Sequence, residues 1–256
     1  MAEVYSMQHE VLYYEADVTG KLSLPMIFNL AVLSSTQQSV DLGVGPDYAH
    51  ANGVGWIILQ HVVDIKRRPK IGEKVALETL AKEFNPFFAK RLYRIVDEAG
   101  NELVSIDALY AMIDMEKRKM ARIPQEMVDA YAPERVKKIP RQPEPDRMIG
   151  DIPVDFDQQY AVRYLDIDSN RHVNNSKYFD WMQDVLGPAF LETHEPTHLN
   201  IKYEHEVLLG DMIRSEAQIM EDKSVHRIWS GDTLSAEAHI DWTLSLIHIS
   251  EPTRPY

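Results

Sequence analysis

The 256-residue chain contains no cysteine, which excludes disulfide bonds, thiolate zinc sites and a cysteine nucleophile. It has no run of roughly 18 apolar residues of the kind that spans a membrane. Its first residues, MAEVYSMQHE, lack the basic start and apolar centre of a signal peptide. We therefore expect a cytoplasmic protein with no membrane span. Any hydrolytic chemistry would have to depend on carboxylates, His, Asn, Ser or Thr.

Two enzyme motifs are also missing. No G-x-S-x-G sequence is present, which excludes the usual serine esterase. His194-Glu195-Pro196-Thr197-His198 has the letters of the H-E-x-x-H zinc motif, but that motif needs a continuous helix. Pro196 disfavours helical geometry at Glu195, so we do not expect this motif to bind zinc. We expect no metal and no other cofactor.

Basic residues are in the minority, and the formal net charge is −13. That charge repels phosphate backbones, so nucleic acid is not an expected partner. Residues 157–243 carry 16 acidic and 7 basic side chains, whereas residues 1–156 carry 23 and 19. The bases of the first half include two clusters: Lys66, Arg67, Arg68 and Lys70, and Lys117, Arg118, Lys119 and Arg122.

The chain contains an internal repeat, in which residues 207–216 resemble residues 69–78 at an offset of 138. Each segment is typical of a strand, a Gly-acid turn and a second strand that alternates apolar and polar residues. Upstream, each copy has an extended run followed by an apolar helix. The sequence therefore predicts one β-α-β-β-β unit written twice.

Helix signals support the repeat. Ser23 can cap the first helix, Pro25 suits its first turn and Gly43 can end it. In the second copy, apolar residues at helical spacing begin at Tyr178 and stop at Gly187. We predict a first copy over residues 1–131, a linker over 132–157, a second copy over 158–243 and a tail over 244–256 that fits neither copy.

Polar side chains concentrate in residues 166–175, DIDSNRHVNN, just before the helix of the second copy. A loop there can present side chains, while the helix N-terminus offers N–H groups to an oxyanion. The residues alone also fit a turn with Asn caps and a surface His. The first copy has Asp17-Val18-Thr19-Gly20 at this place, with no Asn or His to follow, so we expect no chemistry there.

The pattern Asp168-x-Asn170-x-His172-Val173-Asn174-Asn175-x-x-Tyr178 resembles the signature of plant and bacterial acyl-ACP thioesterases. The first half is similar in order and character to the N-terminal domain of the same family, in Trp56-Ile57-Ile58, in residues 68–73, in Met112-Ile113-Asp114 and in Arg122-Ile123-Pro124. The resemblance covers about residues 9–243. It implies an α+β fold of two tandem hotdog domains, each a long central helix wrapped by an antiparallel sheet.

The resemblance also implies a catalytic set, made of Asp168, Asn170, His172 and Glu206. Glu206 is assigned by alignment, because a strand predicted from Thr197 to Val207 puts it on the same face as Lys202 and Glu204, where it could equally be a solvated carboxylate. Many plant members have a Cys directly after this Glu. Here the position is Val207, so a thiol mechanism is excluded.

The implied activity is hydrolysis of fatty acyl-ACP to free fatty acid and acyl carrier protein. Glu206 and His172 would activate water, Asp168 would orient His172 or Asn170, and Asn170 with helix N–H groups would stabilise the oxyanion. Direct attack by a carboxylate, giving an anhydride, is an alternative within the family.

Two rivals stay open at this point: an acyl-CoA thioesterase of the same fold, and a non-catalytic acyl-binding protein or hotdog dehydratase. A dehydratase would need a His and an acid on a buried helix, and the long helices here offer no such pair. The first copy is expected to bind the acyl chain. The acidic acyl carrier protein would dock on one of the two basic clusters, unless these are ordinary solvated bases. The oligomeric state is left open, with a homodimer as one option.

Overall fold

Two copies of one strand order organise the chain. In a computed structural model, the described residues are 2–150, 152–168 and 172–245. They divide into a first unit, Met1–Glu144 with Asn200–Glu204, and a second unit, Pro145–Leu199 with His205–Tyr256. Among the described residues, no helix is both long and apolar enough to cross a membrane.

The described residues of the first unit form one long α-helix, two short α-helices and seven strands. In chain order these are β1 (Tyr5–Glu10), α1 (Leu24–Asp41), α2 (Pro46–Ala51), β2 (Val54–Ile65), β3 (Lys74–Phe84), β4 (Phe88–Asp97), β5 (Glu102–Asp114), β6 (Lys119–Met120), α3 (Gln125–Tyr131) and β7 (Glu134–Arg135).

The described residues of the second unit form two α-helices and five strands. In chain order these are β8 (Phe156–Ala161), α4 (Ser176–Asp184), α5 (Pro188–Thr193), β9 (His194–Tyr203), β10 (Met212–Met220), β11 (Lys223–Ser230) and β12 (Thr233–Leu244). The last residues of β9 are counted with the first unit.

The strand order is the same in both units. It is β1-β3-β4-β5-β2 in the first and β8-β10-β11-β12-β9 in the second. The predicted repeat is therefore real, but each copy has four strands after its helix instead of three. The β10–β11 turn shows why a strand was missed: Glu221, not glycine, has the positive φ of 53° there, so the turn carries no glycine signal.

Each central helix packs against the inner face of its own sheet. Alternate residues of β3, such as Val75 and Leu77, are buried on the side that faces α1, as the period of a strand requires. In the second unit, the Ser215 hydroxyl of β10 donates a hydrogen bond to the carbonyl of Trp181 in α4 over 3.1 Å. Each unit thus buries its core between one helix and one sheet.

The first helix begins and ends where the sequence predicts. It starts directly after Ser23, and Gly43 follows its end with a φ of +73°, a conformation that glycine adopts without steric cost. The Ser23 side chain, however, makes no capping hydrogen bond. The insertion after this helix folds as α2, where Val44 and Ala49 pack with Met112 and Met127 in a small satellite core.

Candidate active site

His172 and Glu206 come together in the second unit. The His172 Nε2 atom lies 3.6 Å from Glu206 Oε2, and the two side chains are 18% and 39% exposed. The distance is long for a hydrogen bond but close enough for direct contact between the two side chains. The two residues are 34 positions apart in the sequence, so the fold itself creates this pair.

Asp168 holds the loop that carries His172. The backbone N–H of Asp168 donates to the carbonyl of His172 over 2.8 Å, and the N–H of His172 lies 3.3 Å from Asp168 Oδ1. Asp168 therefore contacts His172 through the backbone, and the orienting role predicted for it stays a prediction. Asn170 is in the predicted set but lies outside the described residues.

Asp166 stabilises the loop that carries His172, a role that was not predicted from the sequence. It is 1% exposed, its carboxylate accepts hydrogen bonds from the backbone and guanidinium of Arg163, and its carbonyl accepts the N–H of Asn174. Burial alone would raise the pKa of Asp166, but the bonds and charge of Arg163 outweigh burial and lower it. The available signal was the i, i+3 spacing of Arg163 and Asp166.

The N-terminus of α4 offers fewer free donors than predicted. Ser176 N–H donates to the Asn174 side-chain oxygen over 3.0 Å, and Lys177 N–H donates to the Asn174 carbonyl over 2.9 Å. These two N–H groups are already satisfied, so they are poor candidates for the oxyanion. The physical reason is that Asn174 forms a local turn ahead of the helix, which the sequence indicated only as a cap.

The prediction that Glu206 lies on a strand was wrong. Strand β9 ends at Tyr203, and the chain bends at His205, where the backbone N–H and Nδ1 lie within hydrogen-bond distance of the carbonyls of Ser235 and Leu234. Beyond this bend Glu206 pairs with His172, whereas Glu204 lies 3.0 Å from Lys202. The two acids that appeared equivalent in the sequence therefore have different partners.

The first unit repeats the backbone of the candidate site. The N–H of Asp17 donates to the carbonyl of Lys21, as that of Asp168 does to His172. The N–H of Leu22 donates to Pro69, as that of Val173 does to Val207. By these contacts, Asp17 is equivalent to Asp168, and Arg68 is equivalent to Glu206.

The first unit therefore holds a cation where the second holds Glu206. Arg68 is 5% exposed, and its guanidinium donates to the Asp17 carboxylate and, over 3.3 Å, to the Leu22 carbonyl. Burial would raise the pKa of Asp17, but the charge of Arg68 and hydrogen bonds from Thr19 and Arg68 lower it overall. In the first copy, this ion pair therefore occupies the position that corresponds to the His172–Glu206 pair.

The H-E-x-x-H sequence lies on a strand. His194 is the first residue of β9, and four residues along a strand place His198 about 13 Å away. His194 stacks on Phe190 with ring centroids 4.0 Å apart, and its Nδ1 lies 2.9 Å from the Phe190 carbonyl. Among the described residues, no cluster of three His, Asp or Glu side chains has metal-binding geometry.

Comparison with known sequences and structures identifies the family. Residues 2–131 match the acyl-ACP thioesterase N-terminal domain, and residues 150–244 match the C-terminal domain of the same family. The chain belongs to the acyl-ACP thioesterase family. The resemblance seen in the residues of the sequence is thereby confirmed.

Solved structures confirm the fold. A Lactobacillus plantarum protein that carries the provisional name oleoyl thioesterase is 37% identical, with a TM-score of 0.89 over 95% of this chain and 97% of that chain. A 12:0-ACP thioesterase from Umbellularia californica is 18% identical, with a TM-score of 0.82 over 94% and 98%. The predicted α+β fold of two tandem hotdog domains is correct.

Curated relatives are plant proteins. An acyl-[acyl-carrier-protein] hydrolase of Cuphea viscosissima is 28% identical over 160 residues, which are 59% of this chain and 38% of that protein. A second hydrolase of the same plant is 24% identical over 214 residues, 79% of this chain and 52% of the relative. The chain thus spans about half or less of the length of these relatives.

Proposed function

We propose that this protein hydrolyses the thioester of fatty acyl-acyl carrier protein, giving free fatty acid and the carrier. The observation that carries the proposal is the His172–Glu206 pair, 3.6 Å apart beside a loop held by Asp168. Membership of the family supports the substrate class. The site consists of a carboxylate and an imidazole, which are sufficient to activate water without a cofactor.

In the proposed reaction, water attacks the thioester carbonyl. Glu206 and His172 position the water and accept its proton, which then passes to the departing thiolate as the C–S bond breaks. Asp168 keeps His172 in position through the backbone contact described above. The Asn170 amide would donate to the oxyanion of the tetrahedral intermediate, a role that rests on the family signature.

A direct attack by the Glu206 carboxylate is the competing route within the same site. It would form an enzyme anhydride that water then cleaves. Hydrolysis in H₂¹⁸O under single-turnover conditions tests for an anhydride that is cleaved at the enzyme carbonyl. Water attack places ¹⁸O only in the fatty acid, whereas cleavage of an anhydride at the enzyme carbonyl would place ¹⁸O in Glu206.

The first copy, residues 1–131, is proposed to bind the acyl chain. Its inner sheet face carries Leu77, Ile95, Val104 and Ile106, all buried. Those side chains form an apolar surface against α1, and the Asp17–Arg68 ion pair occupies the place of a second catalytic set. We therefore propose that the first copy binds the acyl chain and that the second copy carries out the hydrolysis.

The deciding experiment is a panel of acyl carrier proteins loaded with acyl groups from C8 to C18, with free fatty acid as the readout. Each acyl group is also offered on coenzyme A. The proposal predicts a higher kcat/KM on the carrier protein for at least one chain length. Equal or faster turnover of every acyl-CoA would identify an acyl-CoA thioesterase, and no turnover of either carrier would favour a non-catalytic acyl-binding protein.

A further inference from the structure

One of the two basic clusters is neutralised by acidic neighbours. Lys66 lies 3.2 Å from Glu102, Arg67 lies 2.6 Å from Glu73, and the buried Arg68 pairs with Asp17. Three of its four cations therefore have a carboxylate within contact distance. This cluster is a weak candidate for docking, because little net positive charge is left for a partner.

The other cluster lies beside a second basic segment, residues 135–138, which is part of the predicted linker. Both basic segments contact the turn between β3 and β4. On one side, Ile123 N–H donates to Pro86 and the Arg122 guanidinium lies 5.8 Å from the centre of the Phe87 ring. On the other, Val136 N–H donates to the carbonyl of Phe84. Both basic segments are thus fixed to one turn of the first unit.

We define the basic surface as five exposed side chains around this turn, namely Lys119, Arg122, Arg135, Lys137 and Lys138. Within the described part of the chain, none of the five makes an ion pair. Residues 115–141 carry eight bases and four acids, a local charge of +4 in a chain of net charge −13. Glu134 and Glu83 lie at its edge and reduce the field without reversing it.

We propose that the basic surface is where an acidic carrier protein docks on this thioesterase. The inference rests on the proposed function, since an acyl carrier protein is strongly acidic. A chain of net charge −13 repels such a partner unless the partner meets a local positive field, and an exposed cation that no carboxylate neutralises supplies that field. The linker residues 135–138 would thus contact the carrier.

The test uses two double variants of the full chain, Lys119→Gln/Arg122→Gln and Lys137→Gln/Lys138→Gln. The matched control is Lys70→Gln/Lys74→Gln, which removes the same charge at the other end of β3, about 33 Å away along its 11 residues. Each basic-surface pair should raise KM for acyl-ACP about threefold to tenfold at low salt, with kcat unchanged. The control should change KM less than about twofold, and added salt should shrink the difference.

The same acyl group on pantetheine separates the possible failures. The docking proposal predicts unchanged kcat/KM on acyl-pantetheine for all variants, which also shows that they fold. Equal KM increases in the control and in the basic-surface pairs would overturn the proposal, because the effect would then follow net charge. Unchanged KM in both basic-surface pairs would overturn it as well.

Two further outcomes are distinct. Loss of binding to vesicles of phosphatidylglycerol, with KM for acyl-ACP unchanged, would assign the surface to a membrane and overturn the proposal. If the unmodified chain does not hydrolyse acyl-ACP but hydrolyses acyl-pantetheine, the proposed function fails first, and docking on a carrier protein fails with it.

Discussion

Arg68 in the first repeat occupies the position that Glu206 occupies in the second. Arg68 directly precedes Pro69, whose carbonyl accepts the N–H of Leu22. In the same way, Glu206 directly precedes Val207, whose carbonyl accepts the N–H of Val173. The Arg68 side chain forms an ion pair with Asp17, whereas the Glu206 side chain lies 3.6 Å from His172. One scaffold thus holds a structural ion pair and a candidate catalytic pair.

Glu206 and Glu204 provide a matched pair for mutagenesis. We expect Glu206→Gln to lower kcat by about 10²- to 10⁴-fold, because the carboxylate next to His172 would no longer accept a proton. Glu204→Gln should stay within about twofold, since its partner is Lys202. Steady-state release of fatty acid measures both, and equal losses in the two variants would remove the reason for assigning Glu206.

The Asp17–Arg68 pair should matter for stability and not for turnover. Arg68 is almost fully buried, so Asp17→Asn would leave its charge without a carboxylate. We expect a loss of about 2 kcal/mol in the free energy of unfolding, a value reduced because Asp17 is 32% exposed. Urea unfolding measures the loss. A large fall in kcat without a fall in stability would contradict the structural role.

Two buried histidines should make the protein sensitive to acid. Burial lowers the pKa of His61 from 6.5 to about 3, and burial with the nearby His239 does the same for His226. Above pH 6.5 neither folded nor unfolded chain is protonated at these rings. As pH falls from 6.5 towards 3, the unfolded chain gains protons that the folded chain cannot, so stability falls by about 1.4 kcal/mol per pH unit per histidine.

Single variants His61→Gln and His226→Gln test this dependence. Each should reduce the slope of unfolding free energy against pH between 6.5 and 3, measured by urea unfolding at several pH values. Slopes identical to that of the unmodified chain would mean that these rings titrate equally in both states.

The C-terminal tail should be dispensable beyond Ser245. Strand β12 continues through Leu244, and the N–H of Ser245 donates to the carbonyl of Thr193 over 2.8 Å. Ending the chain after Ser245 should leave the melting temperature unchanged, whereas ending it after Thr243 should cost about 1 kcal/mol through the lost bond. A large fall in melting temperature when the chain ends after Ser245 would show that residues 246–256 are needed for stability.

The repeat and the first helix could be predicted from the sequence, whereas the pairing of His172 with Glu206 was implied only by the family resemblance. The Gly-acid turns at Gly72 and Gly210 carry a local signal, because both glycines adopt positive φ, at 79° and 92°. The residues of the family signature lie close together in the chain. Such features are decided by neighbours in the sequence, so the sequence records them.

Features decided by distant contacts were harder to predict. The end of β9 depends on hydrogen bonds to Leu234 and Ser235, some thirty residues away, so Glu206 was placed on the wrong element. The burial of Arg68 depends on Asp17, and its cluster therefore appeared available to a partner. In each case the deciding contact joins residues that are far apart in the sequence and meet only in the folded chain.

The most direct test of the account is the turnover of acyl-ACP by His172→Ala, with circular dichroism confirming that the variant folds. If His172 and Glu206 activate water, kcat should fall by about 10²- to 10⁴-fold while binding of acyl-ACP is retained. A His172→Ala variant that releases fatty acid at the rate of the unmodified chain would contradict the proposed active site.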